Sequence, residues 1–336
     1  MPRRRSPLTA VWTPALVRSF HTLARAQLAA GQRTAKALAT QAVARQKPPR
    51  SDGHWAANVA MGPGGPRRYR VFRPAHLPAG ARVPLMVMLH GCGQDAAAFA
   101  RSTRMNAVAS REGFLVMYPE QDRVANAQGC WNWFETGSGR AWSEVASVLG
   151  AIDQACALYA VDRSRIALAG FSAGAGLAAL LALRHPDRFG AVTMHSGVPP
   201  NTAHSGTSAM QAMRGRRPTA PLALRDGAGS PLPPLLVVQG AQDRVVAAGN
   251  GRAAAQAWAQ ALGARAMATR VVRRGERHTA RQTDWRLGGR VAVSLVEVDN
   301  LAHAWSGGAA SQAFGDPAGP DASRWAWSFS KRQFAR

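Results

Sequence analysis

The chain has 336 residues, 46% of them hydrophobic, and a formal net charge of +24; that length and composition fit an ordinary globular protein with one large α/β domain or two small ones. No apolar run approaches the roughly 20 residues needed to cross a bilayer, which excludes a helical membrane protein. The basic balance favours anionic partners such as nucleic acid, polyphosphate or an acidic membrane surface, against the plainer reading of a solvated arginine-rich surface. No RNP, zinc-finger or P-loop pattern focuses that charge on nucleic acid.

Residues 1–50 hold ten Arg or Lys and no acidic residue, so they are expected to form a basic N-terminal extension. Leu16, Phe20 and Leu23 fall on one helical face with Arg18, Arg25 and Arg33 nearby, predicting a basic amphipathic helix that anchors, targets or packs on the domain. A secretory signal is a poor match, because Pro7, Pro14 and Arg18 interrupt the run after Arg3-Arg4-Arg5 before an apolar core forms. "RQKPPRSDG" at 45–53 then reads as a linker.

From about residue 54 strands and helices alternate. Strands are expected at 67–74, 84–91, 113–120, 165–170, 189–197, 233–240 and 290–298, with helical stretches at 96–111, 143–159, after residue 172 and at 250–262. This order predicts a mainly parallel central sheet with helices on both faces, its loop-bearing strand ends gathered along one edge. Seven prolines between Pro199 and Pro234 mark a lid-like excursion at about 199–234 within a domain spanning 51–336.

At "ALAGFSAGAGLAALLALRHP" (167–186) a buried strand turns sharply into a helix at Ser172. Such a turn exposes the hydroxyl above the sheet at the positive end of a helix, while Gly170 and Gly174 allow close backbone approach. Gly-x-Ser-x-Gly alone is weak evidence, so the rest of a hydrolytic site has to be found. A serine needs a base to take its proton and an acid to orient that base. His303 in "VDNLAHAWSGG" and Asp243 in "QGAQDRVV" both follow predicted core strands, and His195 is the second choice for the base. The order Ser172, Asp243, His303 is that of α/β-hydrolases. For the oxyanion, the Ala173 amide and the Cys92 amide in "MLHGCGQ" are the candidate donors, and His90 is expected to shape that loop. Trp131, Trp133 and Trp305, with His195, are candidate lining residues of an apolar substrate groove. Cys92, Cys130 and Cys156 are too few and too irregularly spaced for a metal site; one disulfide with a free thiol and three reduced thiols are both open. No metal or cofactor is required.

The segments "LHGCGQ", "YPEQ", "CWNWF", "GFSAG", "HSGVP", "AMRG", "QGAQDRVV", "HAWSGG" and "DPAGPDAS", in this order, resemble the polyhydroxybutyrate (PHB) depolymerase family of esterases, with its feruloyl and acetylxylan esterase relatives, over about residues 55–330. The resemblance implies Ser172 as nucleophile, Asp243 as orienting acid, His303 as base, the Cys92 and Ala173 amides as oxyanion hole, and a Cys92 to Cys130 disulfide. It implies a serine esterase acting on short-chain polyhydroxyalkanoates or their oligomers, and an extracellular setting; without a clear signal segment, a cytoplasmic or granule-associated setting stands beside it. A feruloyl or acetylxylan esterase is the alternative. From a different class comes a binding module whose basic arm, residues 1–50, holds a granule, polyphosphate or nucleic acid.

Overall fold

The computed structural model describes residues 51–62, 65–222 and 231–334. The basic arm expected at 1–50, with the amphipathic helix expected within it, lies outside the described residues, as do residues 223–230 of the excursion.

The described chain opens on two antiparallel strands, β1 (Gly53–Ala60) and β2 (Arg67–Pro74). Then come β3 (Val83–Leu89), helices α1 (Ala96–Thr103) and α2 (Met105–Glu112), β4 (Leu115–Pro119), α3 (Arg140–Leu158), β5 (Val161–Phe171) and α4 (Ala173–Arg184). β6 (Ala191–His195) leads through α5 (Gly206–Met213), inside the excursion, to β7 (Leu235–Gly240) and α6 (Gly249–Leu262). Three outer strands, β8 (Arg265–Ala266), β9 (Arg270–Val272) and β10 (Ala280–Leu287), precede β11 (Arg290–Val298). A two-stranded pair, β12 (Trp305–Ser306) and β13 (Gly315–Asp316), and the helix α7 (Ala322–Phe334) close the chain. No described helix is long and apolar enough to cross a membrane.

The large sheet runs β1-β2-β4-β3-β5-β6-β7-β11-β10-β8, with β9 also on β10. From β4 to β11 all neighbours are parallel, and the strands outside them pair antiparallel. Central strands such as "VPLMVML" and "LLVVQG" are continuous apolar runs buried along almost their whole length, as expected where both faces are covered. Side chains alternate between two cores. Leu85, Val87 and Leu89 pack with α3, α4 and α6, while Met86 and Met88 pack with α1, α2 and α7.

The single helical stretch expected at 96–111 is two helices. Arg104 breaks it in the left-handed region, at φ 55°, and its guanidinium donates to the Gly307 carbonyl. That break lets the turn between the helices hold the loop that follows β11.

Candidate active site

β5 ends in the heart of the parallel sheet, and the chain must reverse at Ser172 to start α4. Ser172 takes φ 54° and ψ −119°, a conformation costing a non-glycine residue about 1–3 kcal/mol. The flanking glycines are imposed by contact: a Cβ on Gly170 would sit 2.2 Å from the Gly174 carbonyl oxygen, and one on Gly174 2.2 Å from that of Leu89. The amide of Ser172 donates to the His195 carbonyl at 2.9 Å, which ties the turn to β6. Its hydroxyl is left above the sheet at the N-terminus of α4.

Loops from β7 and β11 meet that hydroxyl. His303 Nε2 lies 3.0 Å from Ser172 Oγ, and His303 Nδ1 lies 2.8 Å from Asp243 Oδ2. The Asp243 side chain is wholly buried and that of His303 is 9% exposed. Four donors converge on the carboxylate: the Val245 and Val246 amides on Oδ1 at 2.9 and 2.8 Å, and His303 and Gln239 Nε2 on Oδ2. Burial pushes the Asp243 carboxyl up, but the hydrogen bond and charge of His303 and the two amides outweigh it and hold the group below its ordinary value. An anionic Asp243 fixes the proton on Nδ1 and leaves Nε2 to accept from the serine.

The candidate oxyanion donors follow from neighbouring strands. Ala173 is the first residue of α4, so its amide has no intrahelical acceptor. Cys92 follows β3, the next strand, and its loop is pinned from several sides. Gly93 N donates to Gln128 O at 2.9 Å, Gly91 N to Gln94 Oε1 at 3.0 Å, and a Cys92–Cys130 disulfide spans Cα atoms 4.3 Å apart. Cys156, half-buried in α3, remains a free thiol.

Beneath that loop lies a polar network that sequence reasoning missed. Glu144, on α3, accepts from the Asn132 amide at 2.8 Å, from Asn132 Nδ2 at 2.6 Å and from Gln121 Nε2. Burial pushes the Glu144 carboxyl up against these donors and Arg67. Arg67 donates to Gln121 Oε1 at 2.7 Å and lies 5.3 Å from the Trp131 ring. Gln121 also holds the Cys130 carbonyl, and its amide donates to His90 Nε2 at 3.1 Å. His90 in turn donates from Nδ1 to Gly91 O, and burial lowers its pKa to about 4. The loop after β3, the end of β4 and the tryptophan loop are therefore one hydrogen-bonded unit. The sequence signals were His90 in "LHGCGQ", Gln121 at the end of "YPEQ" and Asn132 in "CWNWF", none of which named Glu144 as a partner.

The expected substrate groove needs correction. Trp131 is 0%, Trp305 1% and His195 0% exposed, so none of these side chains offers surface to a substrate. Their polar atoms already have partners. Trp131 Nε1 donates to His90 O and Trp305 Nε1 to Ser323 Oγ, while His195 Nε2 accepts from the Ser306 amide at 3.0 Å. His195 therefore braces the loop carrying His303 and does not reach Ser172 as a base. Trp133, 7% exposed, packs against Gly176 of α4. The aromatic surface that does meet His303 is Phe171, whose ring centroid lies 4.9 Å away, and the exposed Phe314 at 6.3 Å.

With this geometry in view, a family model described as Esterase PHB depolymerase matches residues 69–282, more than half of the chain. The chain is 34% identical to poly(3-hydroxyalkanoate) depolymerase C of Paucimonas lemoignei over 55% of its own length and 46% of that protein's. It is 29% identical to feruloyl esterase B of Neurospora crassa over 34% of its length and 39% of that protein's. The chain thus spans less than half the length of either relative. Among solved structures, the acetyl xylan esterase from Aspergillus awamori superposes with a TM-score of 0.63 at 19% identity, over 75% of this chain and 94% of that one. That likeness fixes the fold as that of the α/β-hydrolase esterases.

Proposed function

Since the chain belongs to the PHB depolymerase esterase family, we propose that it is a serine esterase cleaving short-chain polyhydroxyalkanoates, such as poly(3-hydroxybutyrate) or its oligomers. The observation carrying this reading is the unbroken chain Ser172 Oγ, His303, Asp243 at 3.0 and 2.8 Å. The Ser172 proton passes to His303 Nε2 as Oγ attacks the ester carbonyl. The oxyanion that forms sits against the amides of Cys92 and Ala173, an interaction worth about 3 kcal/mol per donor. Collapse expels the alcohol, which takes its proton from His303 and leaves an acyl-Ser172. Water then attacks the acyl carbon while His303 takes its proton, and His303 returns that proton to Ser172 Oγ as the intermediate collapses and the 3-hydroxy acid leaves.

In this reading residues 51–336 form the catalytic unit and the excursion at 199–234 acts as its lid. The contact of 3.4 Å between His204 Nδ1 and Thr136 Oγ1, joining the excursion to the loop after Trp133, supports that role. Likeness to feruloyl esterase B keeps a carbohydrate esterase as the second reading.

The test is turnover and selectivity. The full chain should clear an amorphous poly(3-hydroxybutyrate) suspension, and Ser172→Ala should lower kcat on a short p-nitrophenyl ester by about 10⁶-fold with an unchanged Tm. Feruloyl or acetyl release without clearing would transfer the assignment to the second reading, and a fully active Ser172→Ala would remove it altogether.

A further inference from the structure

Phe314 bears two costs that folding does not require. Its φ is 61°, a region where a bulky side chain is strained by about 1–3 kcal/mol. It also leaves an aromatic ring 42% exposed. Other described non-glycine residues in this region have a local reason, Ser196 through the contact of its hydroxyl with His195 Nδ1 at 3.1 Å. Asn201 and Asn300 are of the type that tolerates it, Arg104 grips Gly307, and Ser172 is the elbow. Glycine at position 314 would remove both costs.

The surroundings hold the ring in place. Phe314 O accepts from the Trp305 amide at 2.7 Å, and Ala309 N donates to Ser102 O at 2.9 Å, which fastens the β12–β13 loop to α1. A Cβ on the following Gly315 would lie 2.3 Å from the Ala309 carbonyl oxygen, so the chain there is tightly folded. The ring stands edge-on to His303, with centroids 6.3 Å apart at 80°, and 6.1 Å from Phe171.

Sheet order says which part of an ester this ring meets. β5, carrying Ser172, has β3 on one side and β6, β7 and β11 on the other. The Cys92 amide follows β3, so the carbonyl oxygen of a bound ester turns that way. His303 follows β11 on the opposite side, and its Nε2 must reach the departing oxygen to protonate it. Phe314, beside His303, therefore flanks the leaving alcohol.

Resting on the serine-esterase reading, we infer that Phe314 forms a binding subsite for the apolar alkyl or aryl part of the alcohol released from the ester. It is a specificity-determining wall and takes no part in proton transfer.

Two ester series separate this from a structural role: acetates of methyl, butyl and benzyl alcohol, and p-nitrophenyl esters of acetate, butyrate and hexanoate. Phe314→Gly should cut the benzyl-to-methyl ratio of kcat/KM about tenfold, mainly through KM. Acyl-length preference should shift less than about twofold, and Tm should hold or rise because Gly relieves the backbone. Phe314→Leu should retain most of the alcohol preference. A falling Tm with equal losses on every ester, or a change confined to the acyl series, would overturn the inference. Binding of benzyl alcohol to the Ser172→Ala chain, followed by NMR titration, reads the subsite without turnover and should weaken when Phe314→Gly is added. Failure of all hydrolysis counts against the esterase reading, whereas benzyl alcohol binding indifferent to Phe314 counts against the subsite.

Discussion

His195 and His303 stand on the same sheet edge, one ending β6 and the other five residues past β11, yet the surroundings give the two rings opposite work. His303 has a buried carboxylate on Nδ1 and a hydroxyl on Nε2. His195 has only neutral partners, the Ser196 hydroxyl at 3.1 Å and the Ser306 amide at 3.0 Å. It is completely buried, stacked on Trp305 with centroids 4.9 Å apart, and burial together with the nearby His303 lowers its pKa to about 3. A carboxylate partner makes an imidazole a base that can carry charge through a reaction cycle. A backbone amide makes the same ring a neutral strut.

The strongest way to break the contrast is to remove the base. His303→Ala should lower kcat by about 10⁶-fold, a loss comparable to that of the nucleophile, since members of a triad act as a unit. If His195 took over the proton, substantial activity would survive; a measured fall below about 10²-fold would mean that the neutral ring had been misjudged.

Next in size is Asp243→Asn, which keeps the shape but removes the charge that fixes the His303 tautomer. A kcat loss of about 10⁴-fold is expected. This variant also probes acid stability. The Asp243 carboxyl titrates below its ordinary value of 3.8 in the folded chain, so the stability it contributes is complete above that value and disappears as pH falls through the lower folded one. Asp243→Asn should lack that component of acid unfolding in pH-dependent melting curves, and an unchanged acid profile would contradict the anionic reading.

The candidate catalytic edge was legible in the sequence because each of its members follows a buried strand within five residues. "LLVVQG" and "RVAVSLVEV" are apolar enough to place Asp243 and His303 at the same rim as Ser172. β1, with "GHWAANVA", and β10, with "ARQTDWRL", were not legible: as antiparallel outer strands they are only partly buried, and interspersed polar residues hide their period. α7 was hidden by "ASRWAWSFSKRQF", whose serines and aromatics are indifferent helix formers. The tryptophans misled for another reason. Trp305 is two residues from His303, but chain proximity does not say which way a side chain turns. Its indole N–H finds Ser323 in the interior, whereas Phe314, nine residues further along the chain, returns to the mouth. Glu144 gave no signal, because a buried polar residue reads in sequence as an exposed one until its partners are known; Gln239 opens "QGAQDRVV", but its bond to Asp243 could not be read there.

The smallest expected effect sharpens the contrast most. His195→Phe keeps a ring against Trp305 and Phe171 but gives the Ser306 amide no acceptor, and one unsatisfied buried donor costs about 1–3 kcal/mol. Tm at neutral pH should fall by several degrees, with kcat reduced far less than by any triad substitution, since the loop carrying His303 also keeps the Ser306 hydroxyl bond to Pro320 O and the Trp305 bond to Ser323. The pH dependence should move the other way. An ordinary histidine titrates at 6.5 and His195 at about 3 in the folded chain, so between those values the unfolded chain binds the extra proton and stability drains away as pH falls. Removing the ring removes that drain. His195→Phe should therefore lose less stability than the unaltered chain between pH 6.5 and about 3, read from denaturant melts at matched ionic strength. Parallel curves for the two proteins would mean that His195 is already protonated in the fold, and that the division between base and strut does not hold.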